Sequence, residues 1–301
     1  MSDENLKNLK VKLDLLEGRL RELLKSTEEE LKMARSVQAL LMPNRLPKFH
    51  GLETFAKYIS ARELSSEFYD LIPSENNRIL WILQSWTSNF GLASLVTQTF
   101  MTLQSQKILS AHAKGDIEVV FQELLSTVKN LNQDNTGNLR LMIRRLDMSR
   151  LSLESIGFGF PPPVIRSQEK NRWENFHCDS LDHYVKNPAA LKHLPFSAID
   201  QLNLKNLKYA SQMKPGQRFF LMGASWNPTD SIAEFFREIN LELSHESAEE
   251  SASPIPTPDS ELLDDLNYLI LEQQRSQKKK SLKADICLQA FQTDKKLLHL
   301  A

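Results

Sequence analysis

Residues 5–42 repeat hydrophobically every seven positions, which commits this stretch to one long helix. With Leu6 taken as a, the a positions are Leu6, Leu13, Leu20, Thr27, Ala34 and Leu41, and the d positions are Leu9, Leu16, Leu23, Glu30 and Val37. Nine of these eleven are apolar, and no proline interrupts the run before Pro43. A stripe sustained over five heptads predicts a coiled coil, with a parallel homodimer as the simplest product. Leu6, Leu9, Leu13, Leu16, Leu20 and Leu23 form the predicted dimerisation seam, and Thr27 and Glu30 weaken it further on. Leu15, Leu24, Leu31 and Leu40 widen the apolar face, so packing of this helix on its own domain is the alternative reading.

Beyond Pro43 and Pro47 the pattern changes. ETFAKYIS and NRILWILQS read as short strands around the turn-like PSENN. Residues 91–109 and 117–131 read as amphipathic helices, and LRLMIRRLD and RLSLESIGF as paired strands leading to a triple proline at 161–163. Residues 167–212 read as loop-rich, and 217–222 as an apolar strand after Pro215–Gly216. Residues 244–260 are rich in Ser, Pro and acid and are expected to be disordered. A helix over 260–277 and a strand over 284–291 close the chain. Mixed elements with hairpin-connected strands predict an α+β layered domain.

Composition narrows the partners. Lys plus Arg number 37 against 38 Asp plus Glu, so the chain lacks the basic footprint of a nucleic-acid binder or a polybasic membrane binder. No apolar run reaches the roughly 20 residues of a membrane span, and the charged N-terminus has no signal core, so a cytoplasmic protein is expected. Cys178 and Cys287 stand far apart and show no metal-ligand spacing, nor do the seven histidines. Only nine glycines occur, which leaves few positions for close backbone approach.

Six blocks, in order, resemble one family. ARSVQALLMPNRLPKFHGLE (34–53) is similar to the segment that opens the stage II sporulation E (SpoIIE)/RsbU-like branch of the metal-dependent PPM protein serine/threonine phosphatases. SSEFYDLIP (65–73) stands where that branch has G-G-D-F-Y-D, and SWTSNFGLASL (85–95) where it has D-V-S-G-H-G. ESIGFGFPPPVIR (154–166), MKPGQRFFLMGASW (213–226) and LKADICLQAF (282–291) resemble its A-G-H-x-P-P, P-G-D…T-D-G and D-D-[IM]-T blocks. The resemblance implies a PPM-like α/β-β/α sandwich over 48–295, preceded by a coiled coil and switch helix over 1–42. It also implies the family's chemistry: two Mg²⁺ or Mn²⁺ ions, held by acidic side chains, activate a water that attacks a phosphoserine or phosphothreonine. Hard dications need such anionic oxygens.

Carried over residue by residue, that implied site is degenerate. The first acidic position is Glu67, flanked by Ser65 and Ser66 in place of two glycines. The second is Ser85, the third Ala224 and the fourth Ala284; Asn89–Phe90 replaces the family's His-Gly. Asp70 and Asp285 are the residual acids, with Asp285 expected on the opposite strand face from Ala284. With three of four ligands missing, the expectation is a pseudophosphatase with no catalytic residues and no cofactor. Trp86 and Trp226 are expected to fill the former metal cavity or to form a partner surface, and Trp81 to be core. The implied role is a dimeric regulator or scaffold for a signalling partner, such as a phosphoprotein or a domain with an anti-sigma-antagonist fold. The alternatives are an active metal-dependent phosphatase with an atypical site and a coiled-coil assembly factor.

Overall fold

The computed structural model describes residues 3–43, 45–61, 64–74, 78–88, 92–111, 115–131, 137–167, 172–175, 192–224, 261–279 and 285–294. The first helix, α1 (Asp3–Leu41), runs the length of the heptad repeat and stops two residues before Pro43. The chain then enters β1 (Leu52–Ile59), β2 (Glu67–Pro73) and β3 (Ile79–Thr87). Helices α2 (Leu92–Ala111) and α3 (Ile117–Leu131) follow. Next come β4 (Asn138–Asp147), β5 (Ser152–Phe158), β6 (Val164–Ser167) and β7 (Arg172–Asn175). After β8 (Leu194–Pro195), two short 3-10 turns lead to β9 (Lys208–Gln212) and β10 (Arg218–Met222). Helix α4 (Leu262–Lys279) and β11 (Ile286–Thr293) complete the order.

Among the described residues all strand pairs are antiparallel, and they form two sheets. One has the order β1-β11-β10-β6-β7; the other has β2-β3-β4-β5-β9, with β8 beside β4. Helices α2 and α3 pack on the second sheet and α4 on the first, which gives the α+β sandwich expected from the sequence. Helix α3 shows why: Ile117, Val120, Phe121, Leu124, Leu125 and Val128 repeat at helical spacing and are all buried. Asp116 Oδ1 caps its N-terminus by accepting from Glu118 N at 2.9 Å. Trp81 is fully buried in the core, as expected from the sequence.

The stretch 167–212, read as loop-rich, contains β7, β8 and β9. Strand β9 alternates buried Tyr209 and Ser211 with more exposed neighbours, a period-2 pattern too short to stand out beside its polar residues. The segment 244–260 lies outside the described residues.

Among the described side chains of α1, the buried ones are Ala34 and Gln38 near its C-terminal end, and Met42 just beyond the helix is also buried. Leu16, Leu20 and Leu23 are 62%, 58% and 65% exposed, so this part of the predicted seam is not covered by the chain's own domain. Leu6, Leu9 and Leu13 lie on the same helix, and their side chains fall outside the described residues. No described helix is long and apolar enough to cross a membrane.

Candidate functional site

Strand register determines which side chains meet between the sheets. Glu67 pairs with Trp86, and Trp86 pairs with Arg140, so these three form one row across β2, β3 and β4 on a common face. Ser85 pairs with Phe68 and Leu141 instead, and therefore lies on the other face of the sheet from Glu67. The two candidate ligand positions nearest in sequence are thus not brought together.

Glu67 is 1% exposed. Its Oε1 accepts a 2.6 Å hydrogen bond from the backbone nitrogen of Ala224, just past β10. Gly223 makes this approach possible: a Cβ there would sit 2.1 Å from Glu67 Oε1 and 2.9 Å from Cys287 Cβ. Burial pushes the Glu67 carboxyl up to about 8; the Ala224 N–H opposes this, the Asp285 charge adds to it, and the Arg140 charge opposes it. Burial, with the Glu67 charge behind it, likewise raises the neighbouring Cys287 thiol well above its ordinary value.

Arg140 completes the row. Its Nη1 donates to Ala224 O at 2.6 Å and to Gly159 O at 3.3 Å, and its guanidinium lies 4.8 Å from the centre of the Trp86 ring. The aliphatic stem fills the space where a Gly159 side chain would be, with Cγ 2.4 Å from an ideal Cβ position. Burial lowers the Arg140 pKa and the Glu67 charge opposes that shift. The exposed His193 ring stands 6.1 Å from Trp86, and burial and the Arg140 charge lower its pKa.

Asp285 is committed to the loop before β2. Its Oδ1 accepts from Ala61 N at 2.9 Å, and its Oδ2 accepts from Ser65 Oγ at 2.6 Å and Ser66 N at 3.0 Å. The serines that replace two family glycines therefore anchor the carboxylate. Ser65 also joins this loop to α1: Gln38 Oε1 accepts from Ser65 N at 2.8 Å, and Gln38 Nε2 donates to Ser65 O at 3.0 Å. Gln98 of α2 closes the cluster, accepting from Gln38 Nε2 at 2.6 Å and donating to Ser65 O at 3.0 Å.

Asp70, three residues beyond Glu67, pairs with Leu83 on the opposite face of β2 from Tyr69. Its Oδ1 accepts from Leu71 N at 2.8 Å, and burial pushes its carboxyl up to about 6. Ala284 and Trp226 lie outside the described residues.

These donors do not fit the dinuclear Mg²⁺ or Mn²⁺ centre that the family resemblance implies. Glu67 Oε1 and both Asp285 oxygens are already taken by protein N–H and O–H groups. Among the described residues, Glu67 Oε2 and Asp70 Oδ2 are the oxygens of these acids without a protein partner, and Asp70 lies on the opposite face of β2 from Glu67. Ser85 faces away and Ala224 offers only backbone, whose carbonyl already binds Arg140. A hard dication takes about six oxygen ligands, and two ions need more.

Sequence reasoning missed Arg140, Gln38, Gln98 and the two glycines. A signal for Arg140 was present: in LRLMIRRLD the period of two puts Arg140, Met142 and Arg144 on one face of a strand inside a sandwich. Arg144 is fully buried there, donating to Gln84 Oε1 and to Pro161 O, and Gln84 Nε2 reaches Gln289 Oε1 of the other sheet at 2.8 Å.

No protein-family model and no curated protein matches this sequence. Its fold, however, is that of the PP2C-type (PPM) phosphatase domains. The SiaA-PP2C domain of Pseudomonas aeruginosa superposes with a TM-score of 0.63 at 11% identity, over 90% of this chain and 99% of that one. The RsbU and RsbW domains of Rv1364c from Mycobacterium tuberculosis give 0.52 at 14% identity, over 82% of this chain and 63% of that one. The PP2C domain with a regulatory fragment of the cell fate determinant SpoIIE from Bacillus subtilis gives 0.51 at 13% identity, over 81% and 62%.

Proposed function

We propose that this chain is a catalytically inactive PPM-fold protein, a pseudophosphatase, that dimerises through α1 and binds a signalling protein in the cytoplasm. The observation that carries this reading is the hydrogen bond from Ala224 N to Glu67 Oε1. It ties the one acid retained at the family's ligand positions, among those described, to backbone at another of those positions. Misplacing a catalytic group by about 1 Å can cost ~100-fold; here whole ligands are missing. The exposed Leu16, Leu20 and Leu23 support self-association, because a helix of this length is held in water by packing its apolar face.

Trp86, half-buried beside the exposed His193, offers the partner an aromatic contact at the mouth of the cleft. The partner is a phosphoprotein or an anti-sigma-antagonist-like domain. One neighbour in fold combines RsbU and RsbW domains and another is a cell fate determinant, which favours a signalling role.

The test is hydrolysis of a phosphopeptide and of an aryl phosphate by the purified full chain in millimolar Mn²⁺. The rate is expected to equal that of Glu67→Ala. Metal-dependent turnover abolished by that substitution overturns the reading in favour of an atypical active phosphatase.

A further inference from the structure

Three features of the cleft converge on Arg140. Its guanidinium is directed at the Ala224 carbonyl, the backbone of the residue standing at the family's third acidic position. It shares a row with Glu67 through Trp86, and the charges of Arg140 and Glu67 act on each other. Both ends of the row are cut to fit: Gly223 makes room for the carboxylate and Gly159 for the arginine stem. An arginine stays charged even when desolvated, and its planar fork suits two carbonyls and an aromatic face at once.

We propose that Arg140 is the resident cation of this cleft, supplying from within the chain the positive charge that divalent ions supply in the family's site. The inference rests on the non-catalytic reading above. The cleft is closed by covalently attached charge, so its folding requires no metal. Ala224 is the pivot, its N–H on the acid and its carbonyl on the arginine. Trp86 stands between Glu67 and Arg140 in the row, and its ring lies 4.8 Å from the guanidinium.

The test is thermal unfolding of the full chain, with chelator and with millimolar Mn²⁺, for wild type, Arg140→Lys and Arg140→Met. Wild type is expected to melt at the same temperature in both conditions. Arg140→Met, which keeps the stem over Gly159 but loses charge and donors, is expected to melt lower by about 5 °C. It is also expected to gain a saturable rise with Mn²⁺, which displaces the proton that Glu67 holds below about 8 and takes up the Ala224 and Gly159 carbonyls that Arg140 has released. Arg140→Lys keeps the charge and is expected to remain insensitive to Mn²⁺.

If wild type itself is stabilised by Mn²⁺, both this proposal and the non-catalytic reading are overturned. If Arg140→Met melts like wild type, or falls without any response to Mn²⁺, this proposal alone is overturned and the non-catalytic reading stands. Should Arg140→Met not fold, a rise of Arg140→Lys with Mn²⁺ overturns the proposal and its absence supports it.

Discussion

Gly223 and Glu67 fit each other so closely that the glycine has no room for a single methyl group: an added Cβ would lie 2.1 Å from Glu67 Oε1. The contact joins the end of β10 in one sheet to the start of β2 in the other, and it holds Ala224 N in place to donate to the same oxygen.

Gly223→Ala is therefore expected to destabilise the fold by about 1–3 kcal/mol, through overpacking rather than backbone strain. Adding Glu67→Ala should recover part of that loss, because the clashing atom is gone; denaturant melts of the two single variants and the double variant measure the coupling. Strictly additive losses would mean the two residues do not meet.

Stability should fall as the medium becomes alkaline. Glu67 has an ordinary value of 4.5 and a folded-state value of about 8, so between these limits the folded chain holds a proton that the unfolded chain has released. Folding is then favoured below about 4.5 and loses this contribution as pH rises through about 8. Asp70 adds the same sign over a lower window, from 3.8 to about 6. Glu67→Gln, which cannot ionise, should flatten the decline and be more stable than wild type near pH 9, by an amount on the order of a few kcal/mol in denaturant unfolding. The facing charges are Asp285 and Arg140 and the facing thiol is Cys287, so melts are best followed in reducing buffer.

Gln38→Ala removes the side chain that both donates to and accepts from Ser65. The expected cost is about 1–3 kcal/mol, since buried partners are left unsatisfied. Amide exchange should quicken at Ser65 and Ser66 and spare α3, whose packing involves neither residue.

The double change Leu20→Glu and Leu23→Glu puts like charges on an exposed seam and should abolish self-association in sedimentation experiments. The melting of the sandwich should barely move, because neither leucine packs against it. A monomeric wild type would remove the basis for this expectation.

The architecture was legible because it rests on strong periodic signals. The α1 heptads, the α3 stripe and the apolar strand over 218–222 follow from spacing that one sequence displays. The cleft was legible only as a set of positions. Glu67 could be located, but its attachment to Ala224 depends on two sheets meeting 157 residues apart in sequence. The consequence of Ser65 and Ser66 was hidden for the same reason: they read as lost glycines, whereas Ser65 Oγ and Ser66 N hold Asp285 from the far end of the chain. Arg140 lay inside a strand whose inward face was not separated from its outward one. Pairing register, which composition does not reveal, decides that face.

The seam formed by Arg144, Gln84 and Gln289 has a mechanical consequence. Interdigitated apolar layers already resist sliding, and these donors and acceptors add a directional constraint between the two sheets. The seam therefore works as a key in a lock between the two halves of the molecule. A displacement of one sheet along the other would have to break these buried hydrogen bonds together, so the register of the two halves is fixed at their centre.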